Sequence, residues 1–201
     1  ELICERPPLV MPISSWAVLT DTHIGVQRPK TSGEVEIVTI VDENDEIYVS
    51  VGSDHTDRSL ETIDIPWSKQ VAPNVVAPQM WRWNDVKDHW DDIHMESWVI
   101  DQGETVKYQE AMVNEFWTPA EMVQGLRDSV VRVPGANILF SGTVVSIGEK
   151  LRFAESWTIK MTDPVLNRVI EHTYTVDVLA REVLNDGSAS GDVAKGEALT
   201  G

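Results

Sequence analysis

Between Gly33 and Val51 the chain settles into the pattern of paired strands. Glu34-Val35-Glu36-Ile37-Val38-Thr39-Ile40-Val41 is β-branched at most apolar positions and partly alternating, which predicts a strand. Asp42-Glu43-Asn44-Asp45 is a polar turn, and residues 46–51 alternate again, so the two segments form a hairpin. A polar stretch, 52–59, follows at once. Before this region, Pro7, Pro8, Pro12 and Pro29 remove amide donors and bias their predecessors away from helix, so residues 1–31 are expected to be extended or irregular.

Beyond it, residues 71–78 are proline-rich and extended, and 83–90 have room for one or two helical turns. Residues 95–100 and 105–109 flank Asp101-Gln102-Gly103-Glu104, a second hairpin signal. Thr118-Pro119-Ala120-Glu121 opens a helix, with Thr118 as N-cap, Pro119 at the first position and Glu121 completing a capping box. Ile138-Leu139-Phe140 predicts a short buried strand, and strands at 152–161 and 169–179 are expected around the turn Thr162-Asp163-Pro164. Residues 185–201, rich in Gly, Ala and Ser, are expected to form a flexible tail. The chain shows no internal repeat. It predicts one mainly β domain with a few short helices (α+β) at 32–184, preceded by the irregular segment and followed by the tail.

Composition narrows the function classes. Acidic residues outnumber basic ones 33 to 16 in 201 residues, a formal charge of −17. A sequence-independent nucleic-acid binder needs clustered Lys and Arg to displace counterions, and an anionic-lipid binder needs the same sign of charge. Both are excluded. No apolar run approaches the ~18 residues of a membrane helix. The lone cysteine, Cys4, rules out an internal disulfide framework and a Cys-rich zinc site, and reads as a reducing or indifferent compartment, the cytoplasm by default. No charged-then-apolar leader is read at the N-terminus.

Candidate chemistry begins with Glu34 and Glu36. Two residues apart on a strand they share a face, and two like charges there call for something positive between them or for full solvation. Asp54, in Gly52-Ser53-Asp54-His55-Thr56-Asp57-Arg58, adds a third oxygen ligand if the hairpin returns it beside the pair; the plainer alternative is a turn capped by Asp54 or Ser53. Three carboxylates suit Mg²⁺, Mn²⁺ or Ca²⁺ better than zinc. Lys69, beside Trp67, either snorkels to solvent or enters a polar pocket. His89 and His94, five apart, do not match a helical metal pair and are expected to be structural or superficial, whereas His55 is better placed to support the carboxylates. Among the tryptophans, Trp16, Trp81 and Trp83 are candidate pocket walls. No nucleophile elbow or phosphate-cradling glycine loop is present.

In this order, Glu34-Val35-Glu36, Asp54-His55-Thr56-Asp57-Arg58, Ser68-Lys69 and Gly135-Ala136-Asn137-Ile138-Leu139-Phe140-Ser141-Gly142-Thr143 resemble the fumarylacetoacetate hydrolase superfamily. Its members carry a Glu-x-Glu strand, an Asp-x-Thr-x-Arg segment, a lysine and a Gly-Asp-x-Ile-x-x-Thr-Gly-Thr strand. Asp88-His89-Trp90-Asp91 and Tyr108-Gln109-Glu110 look like the branch with the Gly-Ser-Asp-His-Thr-Asp-Arg run, and the similarity spans about residues 32–175. It implies a mixed β-roll, usually a homodimer, with Mg²⁺ or Mn²⁺ as cofactor (Ca²⁺ can take their place in crystals). Glu34, Glu36 and Asp54 would be the metal ligands. Arg58 and Lys69 would hold a substrate carboxylate and stabilise developing negative charge, and Thr143 would contact substrate. The implied activity is hydrolytic cleavage of a C–C bond in a 2-oxo or 1,3-dicarbonyl acid. Decarboxylation, hydration and isomerisation share its enolate chemistry, and a non-catalytic acid-binding homologue is a further class. Ser141 replaces the first threonine of Thr-Gly-Thr, Asn137 stands without the usual acid, and Glu61 lies where some hydrolases carry glutamine. The His–Glu pair that activates water in many members lies upstream of the metal motif. Upstream of it here, His23 and Glu5 match no such pair, so the general base is unassigned. A homodimer is also expected because residues 9–24 are moderately apolar and include Trp16.

Overall fold

The computed structural model describes residues 10–128 and 135–179; Cys4, Glu5 and the tail expected at 185–201 lie outside them. In chain order the strands are β1 (Val18–Leu19), β2 (His23–Val26), β3 (Thr31–Ser32), β4 (Val35–Val41), β5 (Ile47–Asp54), β6 (Thr56–Asp57), β7 (Asn74–Val76), β8 (Trp81–Arg82), β9 (His94–Asp101), β10 (Glu104–Met112), β11 (Asn137–Phe140), β12 (Ser156–Asp163) and β13 (Arg168–Val178). The helices are α1 (Arg58–Glu61), α2 (Ile65–Gln70), α3 (Trp83–Val86) and α4 (Pro119–Asp128). Two mixed sheets carry the fold: one ordered β1-β7-β5-β4-β11 with β8 also on β5, the other β10-β9-β12-β13-β2; β3 and β6 form a separate pair.

The sheets face each other across apolar side chains that alternate inward. Ile37, Val49 and Val51 of the first meet Met95, Ile159, Met161 and Ile170 of the second. A second cluster gathers Ile24, Val75, Tyr108, Trp157 and Tyr174. Both hairpins form. The β9–β10 turn places Gln102 at φ 52° and Gly103 at φ 83°, the consecutive left-handed conformations of a tight hairpin. The helix at Pro119 starts as expected: Thr118 Oγ1 accepts from the Glu121 amide at 3.3 Å and Glu121 accepts from the Thr118 amide at 2.7 Å.

Several local expectations change. Residues 10–31 are not irregular throughout, because β1 pairs in parallel with β7 and β2 with β13. The strand β5 runs on to Asp54, through what looks like a polar turn, since it pairs with β4 and β7 on its two sides. Asp57, not Asp54 or Ser53, therefore caps the following helix, accepting from the amides of Ser59 (2.9 Å) and Leu60 (3.0 Å). β11 is an edge strand with Ile138 46% exposed, so it is not buried. Residues 152–155 are not a strand, and the β12–β13 turn lies at 164–167.

That last turn is organised by Asp163, which is fully buried. Its Oδ1 accepts from the amides of Val165 and Leu166 (both 3.0 Å), and its Oδ2 faces His89 Nε2 (3.1 Å) and Arg168 Nε (3.0 Å). Burial alone would raise its pKa; the Leu166 amide, His89 and Arg168 outweigh burial and hold it below the usual value of 3.8. A carboxylate depressed on folding contributes stability that is present above its unfolded pKa and lost as pH falls through the folded value. Asp163→Asn is accordingly expected to lose about 3 kcal/mol at pH 7, with the gap to wild type closing below about pH 4. Urea unfolding of both proteins at pH 7 and pH 3 checks this; an equal gap at the two pH values would contradict it.

Candidate metal centre

Glu34 immediately precedes β4 and Asp54 ends β5, and the Asp54 amide donates to the Glu34 carbonyl at 3.0 Å. With Glu36 opposite Gly52 in the same ladder, the three carboxylates converge: one oxygen of each lies within 4.8 Å of the others. Glycine at 52 is required, because a Cβ there would sit 2.5 Å from Val38 Cγ2 and 2.8 Å from Phe140 Cε1.

The cations come from the two short helices. Lys69, on α2 and 8% exposed, places Nζ 2.6 Å from Glu34 Oε2, 2.8 Å from Asp54 Oδ2 and 2.8 Å from Thr56 Oγ1. Arg58, opening α1, pairs through Nη2 with Glu34 (2.8 Å), through Nη1 with Glu61 (2.9 Å) and donates from Nε to Ser32 (2.6 Å). Glu61 thus anchors the guanidinium.

These placements set the protonation states. Burial would raise the Glu34 pKa, but Lys69 and Arg58 more than offset it and hold the group ionised below its usual range. Glu36 differs: it is 2% exposed and receives one hydrogen bond, from the Gly142 amide at 2.8 Å. Burial first, and then the charges of Asp54 and Glu34, push it well above the carboxylate range. Asp54 is raised by burial, with Lys69 opposing. On Lys69 burial acts downward, and the attraction of Asp54 and Glu34 overcomes it.

The residues fit a hard divalent cation. Their donors are all carboxylate oxygens, the buried Asp54 Oδ1 has no hydrogen-bond partner, and Lys69 with a shared Arg58 leaves the cluster short of positive charge. His55 is no ligand. It is fully buried, with Nδ1 3.0 Å from Tyr174 Oη and Nε2 2.9 Å from Thr31 Oγ1, and burial, then Arg58 and Lys69, push its pKa down to about 3. It supports the loop behind Asp54 as a neutral group.

Glu34 and Arg58 open onto a cavity of about 270 Å³ whose other walls include Tyr108, Gln109, Thr143, Val144, Ser146, Glu149 and Leu151. Thr143 therefore lies at the cavity, although in the loop after β11, and its hydroxyl donates to the Val35 carbonyl at 2.9 Å. The tryptophans expected there are elsewhere: Trp16 is 68% exposed, Trp81 lies under Arg168 and Trp83 packs on Trp90. His89 is structural, as expected. His23 pairs with Thr175 and Asp177 on the outer edge, away from the cavity wall. Sequence reasoning missed the 144–151 wall, which has no motif, and gave no role to Gln109 although Tyr108-Gln109-Glu110 stood out.

A family model described as Protein of unknown function (DUF2848) matches residues 4–174. No curated protein matches. Among solved structures, the chain is similar to 2-keto-3-deoxy-D-arabinonate dehydratase complexed with magnesium and 2,5-dioxopentanoate: TM-score 0.61, 17% identity, covering 78% of this chain and 56% of that one. The apo form gives 0.64 and 17%, covering 83% and 60%. Cg1458 gives 0.54 and 16%, covering 78% and 67%. The chain thus spans less than two thirds of the dehydratase chains. This likeness shows the fold, a mainly β roll with a few short helices of the fumarylacetoacetate hydrolase type. Among the described residues no helix is long and apolar enough to cross a membrane.

Proposed function

The chain belongs to the DUF2848 family, and from its acidic centre we propose that it is a divalent-metal-dependent enzyme acting on a small 2-oxo or 1,3-dicarbonyl acid. The observation that carries this is the convergence of Glu34, Glu36 and Asp54 within 4.8 Å, at the edge of a cavity sized for a small acid. What a bound Mg²⁺ or Mn²⁺ supplies is Lewis acidity toward adjacent substrate oxygens. Arg58, whose guanidinium is fixed by Glu34, Glu61 and Ser32, presents positive charge to the substrate carboxylate from the cavity wall. Lys69 adds fixed positive charge beside the oxygens on which negative charge develops.

Among reactions that pass through an enolate, loss of water is favoured over hydrolytic C–C cleavage. Cleavage needs an activated water, and among the described residues no histidine lines the cavity. Elimination needs one group to take the carbon-bound proton and return a proton to the departing hydroxyl. Glu149, the cavity-wall carboxylate outside the ligand set, is the group we assign to it. The magnesium-bound dehydratase of similar fold supports the same choice.

Oxalate, a planar mimic of the 2-oxo carboxylate, tests the core of this reading. Calorimetry is expected to show oxalate binding with Mg²⁺ or Mn²⁺ present and none without. Metal-independent binding, or no binding with metal, would overturn it. Incubation with 2-oxo-3-deoxy acids and with acylpyruvates, followed by NMR, separates dehydration from cleavage; binding with no turnover of either class would identify a non-catalytic homologue.

A further inference from the structure

Where β11 ends at Phe140, opposite Val38, the outward edge of β4 loses its strand partner just before the metal ligands. Beyond one last backbone bond, from the Ser141 amide to the Ile37 carbonyl at 3.1 Å, side chains take the strand's place. Ser141 Oγ accepts from the Ile37 amide at 3.1 Å, Gln109 Oε1 accepts from the Val35 amide at 2.9 Å, and Thr143 Oγ1 donates to the Val35 carbonyl at 2.9 Å. Gln109 also accepts from Ser97 Oγ (3.1 Å) and donates from Nε2 to Thr143 Oγ1 (2.8 Å) and the Val144 carbonyl (2.7 Å). Every polar position of this carboxamide is satisfied, and the residue is 2% exposed.

Gln109 reaches this position through a defect in its own strand. The β9–β10 register shifts between Lys107 and Gln109, so that Tyr108 and Gln109 are both buried although adjacent. Bulges re-aim a side chain in this way beside functional sites. Val35 lies between Glu34 and Glu36, and Thr143 follows Gly142, whose amide holds Glu36. One side chain from the opposite sheet therefore ties the backbone between two ligands to the loop that restrains one of them.

We propose that Gln109 is a positioning residue, a carboxamide clasp that sets the spacing of Glu34 and Glu36 against the Thr143 loop and so the affinity of the centre for a divalent cation. The inference rests on the metal-site reading above, and wild-type Mn²⁺ binding separates the two: if wild type binds no Mn²⁺, the site reading has failed; the clasp is judged on the variants once it does.

The test is Mn²⁺ titration calorimetry on folded protein, well below the metal-free melting temperature, comparing Gln109→Met, Thr143→Val, the double variant and Ser97→Ala. Outer groups that orient ligands typically carry about 10–100-fold in metal affinity. A loss of at least about tenfold is expected for Gln109→Met. A comparable loss is expected for Thr143→Val, and the double variant should lose less than the sum of the two singles, since both break the Gln109–Thr143 link. Ser97→Ala, which removes the bond that does not reach the site, should bind as wild type. If Gln109→Met does not fold, Thr143→Val against Ser97→Ala decides alone. A lowered melting temperature with unchanged Mn²⁺ affinity, or additive losses in the double variant, would overturn the clasp.

Discussion

Glu36→Gln is expected to remove the response to divalent cations while leaving the metal-free protein at least as stable as wild type. The two effects have opposite origins. Glu36 is buried beside Asp54 and Glu34, whose charges, after burial itself, drive its pKa upward, so a neutral amide of the same shape relieves strain in the metal-free state. The amide oxygen can still accept from Gly142. With the cation at a hundredfold excess over its Kd, wild type should gain about 2.7 kcal/mol, a rise of roughly 5–10 °C in a domain of this size. The variant should gain nothing. Melting curves with and without Mn²⁺ decide it, and a Tm rise retained in Glu36→Gln would remove Glu36 from the centre.

Lys69→Met acts in the other direction. Its ammonium is the closest cation to both Glu34 and Asp54, at 2.6 and 2.8 Å, and almost no solvent reaches it. Removing one partner of such a cluster leaves buried charge uncompensated, at a cost of about 3–5 kcal/mol. Part of that loss should return when Mn²⁺ is added, because the cation supplies the missing charge; urea unfolding with and without metal reads both. On an acid that the enzyme turns over, kcat should fall about 10²–10³-fold, with KM little changed if Lys69 stabilises charge that appears only in the transition state. Equal losses in affinity and rate would reduce Lys69 to a carboxylate anchor.

Much of this centre is legible in one dimension because strand geometry has period two. Glu34 and Glu36 must share a face once their segment is a strand, and a hairpin turn at 42–45 is enough to bring residues near 53 back beside them. The alternation at 35–41 and 47–51, the Gln102-Gly103 turn and the capping box at Thr118 are equally local, and each forms. What alternation does not carry is where a strand stops. Polar residues at 52–54 look like a turn, yet pairing on both sides of β5 keeps them in the sheet, and the helix cap passes to Asp57.

The sequence by itself determined the mainly β class and the three carboxylates that meet, because strand periodicity and hairpin closure are short-range properties of the chain. Only the tertiary structure decided how the cations pair with them, how deeply each is buried and what walls the cavity. Lys69 meets Glu34 across a sequence separation of 35, and Gln109 meets Val35 across one of 74. The Gln109 contact exists because a bulge in one sheet turns the carboxamide toward a strand of the other. His55 is a core group, not a surface one, for the same reason: Thr31 and Tyr174, remote in sequence, complete its hydrogen bonds. Burial and charge compensation depend on what the opposite sheet and the α1–α2 corner bring into contact, and no local pattern records that.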